Sequence, residues 1–199
     1  MKPTLKKDNS FPEVKIAMRN RYVRPDDKVL DLYCGTGEMY DGSYRGVVAE
    51  YVGIDKAKVH TPDICHVSDN ARWVRQNDIS RFTVFDLDAY GSPLKLLNLV
   101  LSKATQPRAT AFLTDGTPLR LRLEQNLPRV LAASEGVRKS AVLYGVARWY
   151  VDITCTAITK IVQRNGYQVD LMAWTTRTHK DVYYWVIQIS KRDSDADDR

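Results

Sequence analysis

The chain has 199 residues, which suits one domain of ordinary size with a full hydrophobic core. Its 30 lysines and arginines exceed its 24 aspartates and glutamates, and the net charge of +6 is compatible with a polyanionic partner without requiring one. The three cysteines, Cys34, Cys65 and Cys155, lack C-x-x-C spacing, so they suit a reducing compartment better than a disulfide framework and disfavour a structural zinc site.

Neither a signal peptide nor a membrane span is predicted from the sequence. The first ten residues lack the apolar core of a signal peptide, and charged residues interrupt the longest apolar stretch, 144–162. We therefore expect a cytoplasmic protein with no membrane partner. Residues 11–191 are predicted to form a single domain, with a flexible basic N-terminus over 1–10 and a disordered acidic tail over 192–199.

Short apolar runs alternate with helical patterns along most of the chain, at the spacing of βαβ units. Five of these runs are rich in Val, Ile, Phe and Leu, as buried parallel strands are. They cover residues 28–33, 51–55, 64–67, 82–87 and 109–114. Two later runs, 167–174 and 181–190, are separated by polar residues and predict an antiparallel hairpin. The pattern predicts an α/β fold.

Helices are predicted between the strands and before the hairpin. The segment 92–104 carries Ser92 as an N-cap, Pro93 at the first helical position and a leucine-rich face. The segment 146–164 is helical by spacing and ends before a glycine. The Phe-Pro pair at 11–12 is placed at the start of an N-terminal helix that would cover a bound cofactor.

A glycine loop follows the first predicted strand in the stretch VLDLYCGTGEM. Gly35 and Gly37 let a ligand approach the backbone, and amide groups at a helix start favour electron-rich ligand atoms. Asp55 ends the second strand, where an acidic residue in nucleotide-binding α/β folds accepts bonds from ribose hydroxyls. Tyr40 replaces the third glycine of the dinucleotide fingerprint, which argues against a pyrophosphate ligand. A tight turn without a ligand is the alternative interpretation, and Asp31 and Asp55 disfavour it.

Two carboxylates follow the fourth predicted strand in the stretch VFDLDAYGSP. Asp86 and Asp88 lie two residues apart in an extended segment, so both are predicted to project to the same side. The carboxyl ends of parallel strands form the crevice that holds ligands in open α/β sheets. The two aspartates are therefore expected to face a site instead of the core, with capping of the next helix as the alternative.

VLDLYCGTGEM resembles the first motif of the Rossmann-like S-adenosylmethionine-dependent methyltransferases, and VGID resembles their second. VSDNARWV resembles their third motif, and the terminal hairpin resembles the last two strands peculiar to that fold. The resemblance covers nearly the whole chain and keeps the order of the motifs. It implies a mostly parallel seven-stranded sheet with an antiparallel C-terminal hairpin strand and helices on both faces.

The resemblance implies S-adenosylmethionine as the cofactor. Asp31 and the backbone of Gly35–Gly37 would face its methionine part, Asp55 its ribose, and Asp69 with Asn70 its adenine. An N-cap of the following helix is the alternative role for Asp69, and both roles can coexist. The full set of predicted cofactor-binding residues is Asp31, Tyr33, Cys34, Gly35, Gly37, Asp55, Lys56, Asp69, Asn70 and Asp86.

DLDAYGSP resembles the D-x-D-P-F/Y-G-S-P motif of the tRNA guanine-26 N2-dimethyltransferase family. By this resemblance Asp88 and the carbonyl of Ala89 would accept the two N–H groups of an exocyclic amine. Tyr90 would stack on the base, Gly91 would leave room for it, and Asp86 would orient the substrate or the sulfonium. Alanine replaces the family's first proline but keeps the carbonyl. The chain stops before the family's C-terminal tRNA-holding region, so a partner subunit could supply recognition.

Several basic residues could contact nucleic-acid phosphates, although a solvated surface explains them about as well. Those after the fifth strand are Arg120, Arg122, Arg129, Arg138 and Lys139, with Arg120 and Arg122 assigned to substrate binding. Those near the N-terminus are Lys2, Lys6, Lys7, Arg19, Arg21 and Arg24. His60, His66 and His179 are too scattered for a convincing ligand set, so no metal is expected.

The sequence thus predicts an N-methyltransferase that acts on an exocyclic amine of a nucleic-acid base, with guanine N2 in tRNA or another RNA as the leading interpretation. Methylation of DNA, of a small molecule or of a protein remains open. So does a non-catalytic subunit that binds S-adenosylmethionine. The oligomeric state is not predicted.

Overall fold

The computed structural model describes residues 11–57, 64–89, 91–118, 139–176 and 182–192. Its helices are α1 (Pro12–Tyr22), α2 (Asn70–Gln76), α3 (Leu94–Lys103) and α4 (Lys139–Arg164), with a π-helix at Tyr40–Tyr44. Its strands are β1 (Lys28–Asp31), β2 (Glu50–Asp55), β3 (Cys65–Val67), β4 (Val84–Asp88), β5 (Arg108–Asp115), β6 (Tyr167–Thr176) and β7 (Tyr183–Lys191). All seven predicted strands and the two predicted helical segments 92–104 and 146–164 are thus represented.

The seven strands form one sheet in the order β3-β2-β1-β4-β5-β7-β6. The first five strands pair in parallel, while β7 runs antiparallel to β5 and β6 antiparallel to β7. This arrangement confirms the predicted mostly parallel sheet with an antiparallel hairpin. The strand order reverses between β1 and β4, and such a switch point opens a crevice at the carboxyl ends of the strands.

Apolar side chains alternate between the two faces of the sheet, and each face has its own core. The larger core contains Leu30 and Phe85 and is covered by α2, α3 and α4. The smaller core contains Val29 and Val84 and is covered by the π-helix and by half-buried side chains of α1. Helices therefore lie on both faces, as predicted.

Local boundaries differ from the sequence prediction in three places. Helix α3 begins at Leu94 with Pro93 at the N-cap, because the Pro93 carbonyl accepts the Leu97 N–H at 2.9 Å, while Ser92 Oγ accepts the Leu94 N–H at 3.4 Å from just outside the helix. A π-helix replaces the regular helix expected after Gly37. Arg192, assigned to the acidic tail, donates its backbone N–H to Gly166 O at 3.1 Å, so the hydrogen-bonded backbone includes this residue.

The π-helix and α1 pack closely because Gly42 has no side chain. A Cβ atom at this position would lie 2.5 Å from Ile16 Cδ1 on α1. The chain enters α1 through Phe11, whose φ of 68° is in the left-handed region, and Pro12 then fixes the first helical φ. The predicted start of the N-terminal helix at 11–12 is confirmed.

Within these described ranges, no helix is both long and apolar enough to cross a membrane.

Candidate active site

Three of the predicted aspartates meet at the carboxyl edge of the sheet. Asp31 ends β1, and its register partner on β4 is Asp86. Asp88 is the last residue of β4 and pairs in register with Thr114 on β5. Parallel pairing at the switch point therefore brings together carboxylates that lie far apart along the chain.

The glycine loop is fixed to the end of β2 by backbone and side-chain hydrogen bonds. Gly35 and Gly37 have φ values of 51° and 85°, which glycine adopts without steric cost. Gly35 N donates to Asp55 Oδ2 at 3.0 Å, and Ala57 N donates to Asp55 Oδ1 at 2.9 Å. Cys34 N donates to Ile54 O at 3.1 Å. Asp55 thus organises the loop in addition to its predicted contact with a ribose.

Asp31 is buried beneath this loop and has two hydrogen-bond donors. Tyr33 N donates to its Oδ1 at 3.0 Å, and Tyr51 OH donates to its Oδ2 at 2.8 Å. Burial raises the pKa of Asp31 to about 8, with a further upward contribution from the charge of Asp86. Burial therefore favours the protonated form of the Asp31 carboxyl at neutral pH.

A cavity of about 380 Å³ lies beside the glycine loop. Its lining contains five of the residues predicted to bind the cofactor, namely Tyr33, Asp55, Lys56, Asp69 and Asn70. It also contains six residues that the sequence reasoning missed, namely Ala71, Arg75, Ser92, Lys95, Leu96 and Leu99. Four of these six, at 92, 95, 96 and 99, follow the three-and-four spacing of one helix face, a pattern that was available in the sequence.

The acidic residue of the third motif has two partners. Asp69 Oδ1 accepts the Arg72 N–H at 2.9 Å, so Asp69 is the N-cap of α2. Its Oδ2 lies 2.8 Å from Lys56 Nζ, and this hydrogen bond and the capping bond lower the pKa of Asp69. The alternative capping role is therefore confirmed, and the side chain still lines the cavity. Asn70 Oδ1 is buried and has no hydrogen-bond partner among the described residues.

Helix α1 places two cations on the carboxylates of β4. Arg19 donates from Nε and Nη2 to Oδ2 and Oδ1 of Asp86, each at 2.6 Å, and Tyr44 OH donates to Asp86 Oδ2 at 2.6 Å. Lys15 Nζ contacts Oδ1 and Oδ2 of Asp88 at 2.8 and 2.6 Å. The side chains of Arg19 and Asp86 are 3% and 0% exposed, and those of Lys15 and Asp88 are 7% and 16% exposed.

The two ion pairs can form side by side because the spacing of the two cations on α1 nearly equals the spacing of the two carboxylates on β4. Residues two apart on a strand are separated by about 6.6 Å on one face, and residues four apart on a helix by about 6 Å. Asp86 and Asp88 therefore project to the same side, as predicted, and Lys15 and Arg19 meet them in register. The assignment of Arg19 to a phosphate-binding surface is wrong, because its guanidinium is buried against Asp86.

Asp88 is ionised despite its burial. Desolvation pushes the pKa of Asp88 upward, but the charges of Lys15 and Arg19, with hydrogen bonds from Lys15 and Thr114, outweigh it and hold the pKa below its usual value. Asp88 and Asp31 lie at the same edge of the sheet, and their pKa values are shifted in opposite directions. The lower pKa makes Asp88 the better hydrogen-bond acceptor of the two at neutral pH.

The loop after Asp88 rests on the end of β5. Ala89 is buried and donates its N–H to Leu87 O at 2.9 Å. Gly91 has a φ of 105°, and its carbonyl accepts the Gly116 N–H at 3.1 Å. The predicted substrate residues Tyr90, Arg120 and Arg122 lie outside the described residues, as do His60 and His179. No cluster of metal-ligating side chains occurs in the part of the chain that is described.

The sequence analysis predicted no disulfide, and this prediction is wrong for two of the three cysteines. Cys34 in the glycine loop and Cys65 on β3 form a disulfide across a sequence separation of 31 residues. The two residues meet because the β1 loop and β3 both flank β2, whose Gly53 has no side chain between them. Cys155 is a free thiol. Spacing along the chain did not reveal this pair, since the sheet brings the two sulfurs together.

Neither a protein-family model nor a curated protein matches the chain. Solved structures do match it. TYW2 from M. jannaschii, in complex with AdoMet, has a TM-score of 0.58 at 9% identity, covering 92% of this chain and 77% of that one. Trm1 from Pyrococcus horikoshii, with S-adenosyl-L-methionine, has a TM-score of 0.55 at 15% identity, covering 90% of this chain and 54% of that one.

A third match is YhhF from Escherichia coli, a candidate methyltransferase, with a TM-score of 0.57 at 10% identity and coverage of 95% and 90% of the two chains. The present chain spans little more than half of Trm1 but most of YhhF. At these identities the likeness concerns the architecture. The chain has the fold of the Rossmann-like S-adenosylmethionine-dependent methyltransferases.

Proposed function

We propose that the protein is an S-adenosylmethionine-dependent N-methyltransferase that acts on an exocyclic amine of a nucleic-acid base. The observation that carries this proposal is the Asp88 carboxylate at the end of β4, held by Lys15 on the sheet edge where the cavity also opens. A hydrogen-bond acceptor in this position suits an N–H substrate. The likeness of DLDAYGSP to the tRNA guanine-26 N2-dimethyltransferase motif favours guanine N2 in tRNA or another RNA.

The residues of the cavity fit S-adenosylmethionine. Asp55 uses its carboxylate for two backbone bonds and retains lone pairs for ribose hydroxyls. The unpartnered Asn70 Oδ1 can accept an N–H from the adenine amino group, which would satisfy a buried acceptor. Leu96 and Leu99 supply an apolar wall for a planar ring. S-adenosylmethionine, when bound, supplies a methyl group already activated by its sulfonium centre.

The chemical task of Asp88 follows from the electronic structure of the substrate. The lone pair of an exocyclic base amine is delocalised into the ring, so the nitrogen is a weak nucleophile. An acceptor on one N–H orients the nitrogen and stabilises the positive charge that develops on it. Asp88 serves as this acceptor, and the carbonyl of Ala89 serves as the second one. Neither residue needs to form a covalent bond to the substrate.

The charge balance of the site favours a neutral amine over an alkylammonium ion. Lys15 and Arg19 carry two positive charges, and Asp86 and Asp88 carry two negative ones. These four charges cancel, and the raised pKa of Asp31 leaves that carboxyl largely neutral at pH 7. A cationic lysine or polyamine would therefore find no net negative charge to offset its desolvation. A base amine is uncharged and does not meet this penalty.

The test is methyl transfer by the wild-type protein and by Asp88→Ala. Each is incubated with methyl-labelled S-adenosylmethionine and, separately, with unmodified RNA, DNA and a metabolite extract, and labelled products are identified by mass spectrometry. Asp41→Ala is the matched control, because Asp41 is an exposed carboxylate whose partner among the described residues is Arg45, in an i,i+4 contact. Cofactor affinity is measured for all three proteins by calorimetry.

We expect label on an exocyclic amine of RNA with the wild type and with Asp41→Ala. We expect a loss of at least about 100-fold with Asp88→Ala while the cofactor still binds. Label in DNA or in the metabolite pool would move the proposal to that substrate class. Cofactor binding without transfer to any pool would instead identify a non-catalytic subunit.

A further inference from the structure

The Asp88 carboxylate has a lysine partner that the proposed chemistry does not yet use. Lys15 Nζ lies 2.8 and 2.6 Å from the two oxygens of Asp88, across a sequence separation of 73 residues. The lysine is itself buried, and its ammonium lies 5.6 Å from the centre of the Tyr184 ring on β7. Burial and two short contacts therefore fix the Lys15 ammonium in the site.

The other groups around Asp88 come from three elements. Arg19 on α1 contributes a second positive charge, but its guanidinium is bonded to both oxygens of Asp86. Thr114 on β5 contributes a side-chain hydrogen bond, and Asp86 is the nearest acidic residue on β4 itself. Among the described residues, Lys15 is the cation in direct contact with Asp88.

We propose that Lys15 is a positioning residue, which keeps Asp88 ionised and oriented as the acceptor for the substrate amine. This inference rests on the proposed function, since it assigns a second residue to the same amine site. A carboxylate offers about four acceptor positions, of which Lys15 uses two and Thr114 one. Asp88 thus retains one acceptor position for an incoming N–H group while the lysine stays in place.

Asp31 indicates how the pKa of a buried carboxyl shifts at this edge of the sheet when no cation is bonded to it. Its partners are a backbone N–H and a tyrosine hydroxyl, and its pKa rises to about 8. The Asp88 side chain is 16% exposed and is also partly desolvated, but its pKa is lowered. If Lys15 is removed, burial is expected to dominate at Asp88 also, and the protonated carboxyl would lose part of its capacity to accept N–H bonds.

The experiment compares the wild type with Lys15→Met and Lys15→Arg. Carbon-13 NMR of labelled aspartate follows the titration midpoint of Asp88, with Asp88→Asn used to assign the resonance. Methyl transfer to the RNA pool is then measured from pH 5 to pH 9. The matched control is Lys103→Met, which removes another partly buried lysine that bonds backbone carbonyls of α2 instead of Asp88.

In Lys15→Met we expect the Asp88 midpoint to rise by at least one pH unit. The acidic limb of the pH–rate profile should rise by the same amount. Wherever the pH lies below the shifted midpoint, activity should therefore fall in proportion to the protonated fraction of Asp88, and it should recover at higher pH. Lys15→Arg should restore both readouts, because it keeps the positive charge. Lys103→Met should leave both unchanged, whatever its effect on stability.

An Asp88 midpoint that stays within 0.3 units of the wild type in Lys15→Met overturns the role of Lys15. If this variant does not fold, Lys15→Gln takes its place, because it keeps N–H donors and removes only the charge. The NMR measurement needs no substrate, so it decides the role of Lys15 in setting the ionisation of Asp88 even when no product forms. Absence of transfer by the wild type at every pH overturns the proposed function instead.

Discussion

Replacing Asp86 with leucine removes the partner of a fully buried arginine. The Arg19 side chain is 3% exposed and gives two hydrogen bonds of 2.6 Å to Asp86, which also accepts the Tyr44 hydroxyl at 2.6 Å. Breaking a buried ion pair by removing one partner costs about 3–5 kcal/mol. The Tyr44 hydroxyl, which still accepts from Arg19 Nε at 3.1 Å, would lose the acceptor of its own O–H, and this places the expected cost towards the upper end of the range.

The assay is urea unfolding monitored by circular dichroism, on the single and double variants of Asp86 and Arg19. For a chain of this size, about 3–5 kcal/mol corresponds to a fall in melting temperature of roughly 6–20 °C. The double variant Asp86→Leu/Arg19→Met removes both charges, so we expect it to recover most of the loss. The control is Asp41→Asn, because the Arg45 and Asp41 side chains are 70% and 59% exposed. Its expected cost is below about 0.5 kcal/mol.

Two results would refute this reasoning. One is a cost below about 1 kcal/mol for Asp86→Leu, which would mean that Arg19 reaches water when its partner is gone. The other is a double variant as unstable as the sum of its single variants, which would mean that the two residues do not interact energetically.

Three further substitutions test separate features. Because the pKa of Asp31 is about 8 in the folded protein and about 3.9 in an unfolded chain, the folded state retains a proton that the unfolded chain loses. The free energy of unfolding should therefore fall as pH rises from about 4 to about 8, and Asp31→Asn should flatten this slope. Lys103→Met should cost about 1–2 kcal/mol in urea unfolding, because Lys103 Nζ donates to the carbonyls of Val74 and Asn77, both at 2.7 Å. Gly53→Ala should cost about 1–3 kcal/mol by the same assay, because its Cβ would lie 2.8 Å from Cys34 Cβ.

Each of these substitutions has a control. Unfolding at pH 4 should not separate Asp31→Asn from the wild type, and an equal slope in both proteins would contradict burial of a protonated carboxyl. Lys103→Arg should retain most of the stability that Lys103→Met loses. Gly116→Ala is the control for Gly53, since its Cβ would have no contact closer than 3.5 Å. Equal losses of unfolding free energy in Gly53→Ala and Gly116→Ala would contradict the explanation by close packing at Gly53.

Much of the fold could be predicted because its signals are local. Each parallel strand is a short apolar run. The common direction of the two aspartate side chains in DLDAYGSP follows from the alternation of side chains along a strand. Part of the cavity lining could also be predicted, because its residues lie in local motifs. Asp55 and Asp69 each lie at the end of an element, where motif and topology place side chains in the crevice.

The ion pairs and the disulfide could not be predicted because their partners are distant in sequence. The pair of Arg19 and Asp86 spans 67 residues, and no periodicity links two positions so far apart. The lysine and arginine at positions 15 and 19 do lie on one helix face, but a basic face is usually solvated. Cys34 and Cys65 meet only through the order of strands in the sheet.

The way in which α1 is attached has a consequence for the order of folding. The two most deeply buried side chains of this helix are Lys15 and Arg19, and their partners lie 73 and 67 residues later in the chain. During synthesis α1 emerges before β4, so its cations have no carboxylates to pair with until β4 has been made and paired. We therefore expect pulse-labelling hydrogen exchange to find the α1 amides protected after those of β1 and β4. Helix α1 would then dock after β1 and β4 have paired, and its docking would neutralise the two carboxylates of β4.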